Sequence, residues 1–128
     1  VLAQLFHAGL LDYVAMDLKT LPETYASLWP GGDPELVRRS LELVMASGVD
    51  YEFRTTCVRP LVDEQVMRRL ARLVQGARRY ALQRFRGSGP LLRPEAFSAP
   101  GTYAACDETQ IRRFEAILAP VVTRCLLR

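Results

Sequence analysis

The 128-residue sequence predicts an α/β fold in which parallel strands alternate with crossover helices. Two observations predict it. Three short runs rich in aromatic, β-branched or plainly apolar residues, YVAMDL at 13–18, YEFRTTCV at 51–58 and YALQRF at 80–85, have the length and composition of buried strands. The intervals between them hold segments with helical apolar spacing, each opened by a capping residue and closed by a glycine.

Taken in order, the chain opens on an apolar-periodic run, Val1, Leu2, Leu5 and Phe6, with no basic leader or small-residue cleavage site ahead of it, and so reads as a piece of something longer. His7 in this run has no second histidine or carboxylate at metal-ligand spacing and reads as structural. After the first strand, Asp33 caps a helix with Pro34 at its first position. Leu36, Val37, Leu41, Val44 and Met45 form its apolar face, and Gly48 ends it. After the second strand, Asp63 caps a helix in which Val66, Met67, Leu70, Leu73 and Val74 repeat at helical spacing up to Gly76. Beyond the third strand, residues 86–106 carry three prolines and three glycines and read as a long covering loop. In residues 107–128, Asp107 with Gln110 has the form of a capping box opening a last helix, with Ile111, Phe114, Ile117 and Leu118 inward. Pro120 stops that helix, and 121–127 offers a final strand. No linker divides the chain, so residues 1–128 are expected to form a single domain, an open α/β sheet or part of a barrel.

Composition narrows the classes of function. No apolar run approaches the roughly 18 to 20 residues that a membrane-spanning helix needs, so no membrane partner is expected. Three cysteines, Cys57, Cys106 and Cys125, are odd in number and widely spaced, which fits a reducing compartment, by default the cytoplasm. None lies at C-x-x-C spacing, and Cys57 reads as a small core residue. Sixteen of the seventeen basic residues are arginine, and Lys19 is the one lysine, a compact charge that arginine does not replace. Arg68, Arg69, Arg72, Arg78 and Arg79 form a basic cluster without an aromatic stacking platform, so it reads as a solvated face and no nucleic acid is expected. No glycine-rich phosphate loop appears.

Ligands of parallel α/β folds bind at the C-terminal ends of the strands. There, strand alternation puts Asp17 and Lys19 on one side of the first strand and Arg54 with Thr56 on one side of the second, while Gln83 interrupts the apolar third strand. These five residues suit a zwitterionic ligand, the cations taking a carboxylate and Asp17 or Gln83 taking hydroxyl or ammonium groups. An internal ion-pair network of Asp17, Lys19 and Arg54 at the strand ends explains the same set without a ligand. A third reading gives Lys19 a role as a base in a small-molecule barrel enzyme.

Three segments, DYVAMDLK at 12–19, SGVDYEFRTTCV at 47–58 and GARRYALQRFR at 76–86, with LVDE at 61–64, together resemble the activating proteins of anaerobic ribonucleotide reductase. These belong to the radical S-adenosylmethionine activating enzymes and are relatives of pyruvate formate-lyase activating enzyme. The resemblance covers nearly the whole chain in order and spacing. It implies the C-terminal portion of a partial (β/α)6 TIM-like barrel that binds S-adenosylmethionine and a [4Fe-4S] cluster. It also implies a glycyl radical enzyme as the protein substrate, and an electron donor. By the resemblance, Asp17 and Lys19 reach toward S-adenosylmethionine, Arg54 points into the same cavity, and Gln83 and Phe85 border the adenosyl moiety.

The family's C-x-x-x-C-x-x-C loop and its glycine-rich segment after the second strand are absent from these 128 residues, and the three cysteines lack the spacing to replace the loop. The cluster ligands are therefore expected in a longer parent, and this chain alone is expected to be inactive. The alternative is a stand-alone half barrel that binds a partner without catalysis. In either case an unpaired sheet edge and an uncovered inner face favour pairing with another chain.

Overall fold

Three aspartates set where the helices begin. In the computed structural model, which describes residues 12–24, 33–85 and 104–128 together with Gln4 and Gly9, each accepts a bond from a backbone N–H of its helix's first turn. Asp33 accepts from Glu35, Asp63 from Val66 and Asp107 from Gln110. The helices so opened are α1 (Pro34–Ala46), α2 (Glu64–Leu73) and α3 (Glu108–Leu118). At Asp107 the capping box is complete, because the Gln110 side chain also accepts from the Asp107 N–H. Gly48 and Gly76 both take positive φ, 77° and 89°, where a side chain would be strained, and each turns the chain from a helix into the next strand.

The strands are β1 (Tyr13–Asp17), β2 (Asp50–Arg59), β3 (Arg79–Arg84), β4 (Ala104–Ala105) and β5 (Arg124–Leu127). β1, β2, β3 and β5 lie side by side in chain order and all parallel, so the expected α/β alternation with a parallel sheet is what the chain adopts. The first three strands stand within a residue of their expected bounds. The last is shorter than expected: Val121 and Val122 donate to the Leu118 carbonyl in a turn that closes α3, and the strand starts only at Arg124. Nothing in the sequence anticipated β4, two alanines that pair antiparallel with Val58 and Arg59 beyond the end of β1. Residues 86–103 of the expected covering loop, the opening run with His7, and residues 25–32 fall outside the described residues.

One face of the sheet is covered. Tyr51, Phe53, Cys57, Tyr80 and Leu82 project from β2 and β3 into a single buried cluster. The helices supply Leu41, Val44, Met67, Leu70, Ile111, Phe114 and Leu118 to the same cluster. Burying each such large side chain contributes roughly 1.5–3 kcal/mol, and non-directional burial of this kind holds the layers together. Within it, Thr55 satisfies its hydroxyl against the Leu18 carbonyl at 2.6 Å and the Tyr80 hydroxyl at 2.5 Å, tying β1, β2 and β3 together. Leu36 corrects the expected face of α1, being 58% exposed. It stands five residues before Leu41, off the three-and-four spacing that runs through Val37, Leu41 and Val44.

Candidate functional site

The opposite face of the sheet is the polar one, and the register shows why. Parallel partners put their side chains on the same side, so Asp17, Arg54, Ala81 and Leu126 form one row across four strands, and Thr56 with Gln83 begins the next row toward the C-terminal end. Four of the five residues singled out from the sequence, Asp17, Arg54, Thr56 and Gln83, thus share one face at the C-terminal ends of the strands.

Asp17 and Arg54 meet directly, with Nε donating to Oδ1 at 3.1 Å. The carboxylate is half exposed and the guanidinium side chain is about a third exposed. A pair this accessible to water contributes about 0–1 kcal/mol, so a ligand carboxylate can replace Asp17 on Arg54 at small cost. Lys19 lies two residues past the end of β1 and is exposed, and its backbone sits between the buried Leu18 and Thr20. Those neighbours are pinned: the Leu18 N–H donates to the Arg54 carbonyl at 2.7 Å, and the Thr20 hydroxyl donates to the Leu61 carbonyl at 2.8 Å. Lys19 therefore projects from a fixed point on the rim. Gln83 is half-buried beside Thr56.

Deeper in the same face stands a residue that the sequence reading passed over. Glu52 is 4% exposed, and its carboxylate takes Arg128 Nη1 at 2.6 Å on one oxygen and Nη2 at 3.0 Å on the other. The Tyr13 hydroxyl donates to it at 2.5 Å. Burial on its own pushes this carboxyl up, but the Arg128 and Tyr13 hydrogen bonds and the nearby guanidinium charges outweigh burial and hold it below the usual carboxylate range. The Tyr13 phenol is pushed up by its own desolvation and by the Glu52 carboxylate. A carboxylate between the aromatic Tyr51 and Phe53 of β2, two residues before Arg54, was the signal available in the sequence.

Four of the five arginines of the sequence cluster, Arg68, Arg69, Arg78 and Arg79, lie within ion-pair distance of acids. Arg68 bonds Glu64 at 2.6 Å, Arg69 reaches Glu23 at 3.7 Å, and Arg79 bonds Asp50 at 3.3 Å. Arg84 donates to Glu108 through Nε and Nη2, one to each carboxylate oxygen, which anchors the first turn of α3 to the end of β3. The cysteines do not converge on an exposed site. Cys57 and Cys106 are buried, and burial pushes the Cys57 thiol up to about 12 and the half-exposed Cys125 thiol up to about 11. Among the described residues no group of three or more histidines, cysteines or carboxylates could hold a metal ion, and no helix is long and apolar enough to cross a membrane.

The class defined here is a parallel α/β protein with a polar, ion-paired face leading to the C-terminal ends of its strands. Comparison of the chain with protein-family models, curated proteins and solved structures finds no match.

Proposed function

We propose that this chain forms the substrate-side wall of a radical S-adenosylmethionine activase, the C-terminal portion of a partial (β/α)6 barrel acting on a glycyl radical enzyme in the cytoplasm with an electron donor. The observation that carries the reading is the Asp17–Arg54 pair at the C-terminal ends of parallel strands in unbroken chain order, with the exposed Lys19 two residues past the end of β1. It falls on two of the three segments that carry the resemblance.

The residues present suit S-adenosylmethionine. Arg54 offers a guanidinium for a carboxylate, Asp17 an acceptor for an ammonium or ribose hydroxyl, and Gln83 a neutral donor and acceptor on the neighbouring strand. When bound and reductively cleaved, S-adenosylmethionine supplies the oxidising power that removes hydrogen from a glycine of the partner. The part played by this chain's residues is to bind and orient that ligand. The [4Fe-4S] cluster is not suited by the cysteines described here: Cys57 and Cys106 are buried protonated thiols, and Cys125 belongs to β5. Its ligands are assigned to the longer parent.

Electron paramagnetic resonance on the protein purified anaerobically from the cells that make it tests the reading. A reduced-cluster signal that changes when S-adenosylmethionine is added supports it, and a protein without a cluster overturns it. Within the chain, Asp17→Asn and Arg54→Ala should weaken S-adenosylmethionine binding in equilibrium dialysis while leaving the fold intact. The alternative, a partner-binding half barrel without catalysis, is favoured by one specific observation, the unpaired outer edges of β1 and β5 among the described residues.

A further inference from the structure

We propose that Cys57 and Cys106 are a modification site, a thiol pair that forms a reversible disulfide tying β4 to the C-terminal end of β2. The inference uses β2 and the segment that leads into α3, and does not rest on the activase reading.

The pairing of β4 sets the two cysteines opposite one another. Val58 partners Ala105 and Arg59 partners Ala104 in an antiparallel register, and one step back along β2 the same register brings Cys57 to Cys106. The Cys106 N–H donates to the Cys57 carbonyl at 3.2 Å, so the pairing extends to this position. Residues directly opposite in an antiparallel pair project to the same face, with Cα atoms about 4.5 to 5.5 Å apart. A disulfide spans Cα separations of roughly 4.4 to 6.8 Å, so the backbone already stands within reach of the bond.

The side chains agree with the backbone. Both thiols belong to the one core cluster, Cys57 fully buried and Cys106 7% exposed. Burial raises the Cys57 thiol most and the Cys106 thiol raises it next, an effect that requires the two sulfurs to be near neighbours. The Cys106 thiol donates to the Val62 carbonyl at 4.0 Å, a weak bond that turning toward Cys57 gives up at little cost. Cys125 has a smaller effect on Cys57 and lies on β5, with β3 between its strand and β2. Either buried thiol alone is a small core residue; the register of β4 supplies each with a facing partner.

In the closed sheet both thiols are protonated and shielded, so exchange begins when β4 lifts. The Cys106 thiolate then attacks a low-molecular-weight disulfide such as oxidised glutathione. Its sulfur bonds to one glutathione sulfur, and the other leaves as a thiolate that takes up the proton Cys106 released. The Cys57 thiolate next attacks the Cys106 sulfur of this mixed disulfide and expels the second glutathione, which takes up the proton from Cys57. Two protein thiols are thereby oxidised to one disulfide, and one glutathione disulfide is reduced to two thiols. Excess glutathione thiol runs both steps backward.

The bond changes what the end of the sheet can do. β4 is two residues long and is held to β2 by two bridge pairs and the Cys106 hydrogen bond. The disulfide makes that contact covalent at Cys57, the residue after Thr56 of the polar face, and at Cys106, the residue before the Asp107 cap of α3. The end of β2 and the start of α3 then move as one unit.

Equilibration of the protein in glutathione buffers of graded composition, approached from both the reduced and the oxidised state, tests the inference by acid quenching, alkylation and mass spectrometry. With oxidised glutathione in excess the chain should lose the mass of two hydrogens, and the linked peptides should contain Cys57 and Cys106 with Cys125 still alkylated. Excess reduced glutathione should restore all three thiols. Cys106→Ser should abolish the loss and Cys125→Ser should leave it unchanged, both with an unchanged far-ultraviolet circular dichroism spectrum. Hydrogen exchange at the Cys106 amide should slow by about tenfold or more on oxidation, because β4 can no longer detach from β2. A protein that stays reduced or gains only glutathione adducts at every ratio overturns the inference. So does a bond to Cys125 or between two chains, and so does an oxidised pair that leaves exchange at Cys106 unchanged, which means that β4 is not tied.

Discussion

The Arg128 guanidinium grips both oxygens of the Glu52 carboxylate across a separation of 76 residues, making the end of β5 the lid over a buried charge in the middle of β2. An ion pair with one buried member contributes little relative to well-packed apolar residues, but removing Arg128 strands the buried Glu52 carboxylate. Because the Arg128 side chain is 45% exposed, solvent screens part of the pair, and Arg128→Ala should destabilise the fold by about 1–2 kcal/mol, measured as a lowered urea midpoint at unchanged slope. Replacing both residues by leucine should recover most of that loss. A double variant no more stable than Arg128→Ala would show that the guanidinium acts through something other than Glu52.

The same pair fixes how stability responds to acid. Burial of Glu52 opposes its charge, yet the hydrogen bonds from Arg128 and Tyr13 win, and its folded carboxyl lies below the ordinary value. The unfolded chain therefore takes up a proton at higher pH than the native state does. The stabilisation is complete above the unfolded carboxylate range, near pH 4 to 5, and is lost as pH falls through the lower folded value. Thermal melts from pH 7 down to pH 3 should show this loss, and Glu52→Gln should start from a lower melting temperature and fall less steeply. Parallel slopes for the two proteins would mean that other carboxylates carry the acid response.

Asp107 illustrates what the sequence made legible. The aspartate with a glutamine three residues on specified a capping box, and both of its bonds are present. The strands and helices followed from local apolar spacing in the same way, since each pattern repeats within a few residues. Glu52 was not legible, because its meaning depends on Arg128, which follows two helices and two further strands of the main sheet. β4 was not legible either: two alanines have no periodicity, and only pairing with Val58 and Arg59 defines them as a strand. The sequence did bring Asp17 and Arg54 to one face, but their direct contact depends on a register set by the whole β1–β2 ladder.

The α3 cap is worth testing in isolation because its two bonds are local and exposed. Asp107→Ala should cost about 1 kcal/mol, and Asp107→Asn, which keeps an acceptor oxygen, should cost much less. Equal losses from both would point to the charge of Asp107 at the helix N-terminus as the larger contribution.

Cys57 and Cys106 face one another across the β2–β4 pairing, where the Cys106 N–H donates to the Cys57 carbonyl at 3.2 Å. Burial raises both thiols, and with Cys57 near 12 only on the order of one molecule in ten thousand carries its thiolate at pH 8. Cys125, near 11 and half-exposed, has about ten times that fraction and direct access to reagent. Alkylation at pH 8 followed by mass spectrometry should therefore label Cys125 first in the native protein, with all three labelling rapidly in denaturant. The two buried thiols carry a further prediction, because β4 pairs next to Cys57 and runs directly into Cys106. If reagent enters by local detachment of β4 from Val58 and Arg59, Cys57 and Cys106 should be labelled in parallel, and both should slow in step when denaturant is withdrawn. Labelling of Cys106 alone would mean that its segment lifts while the core around Cys57 stays closed, making β4 a flap hinged on the sheet rather than a part of it.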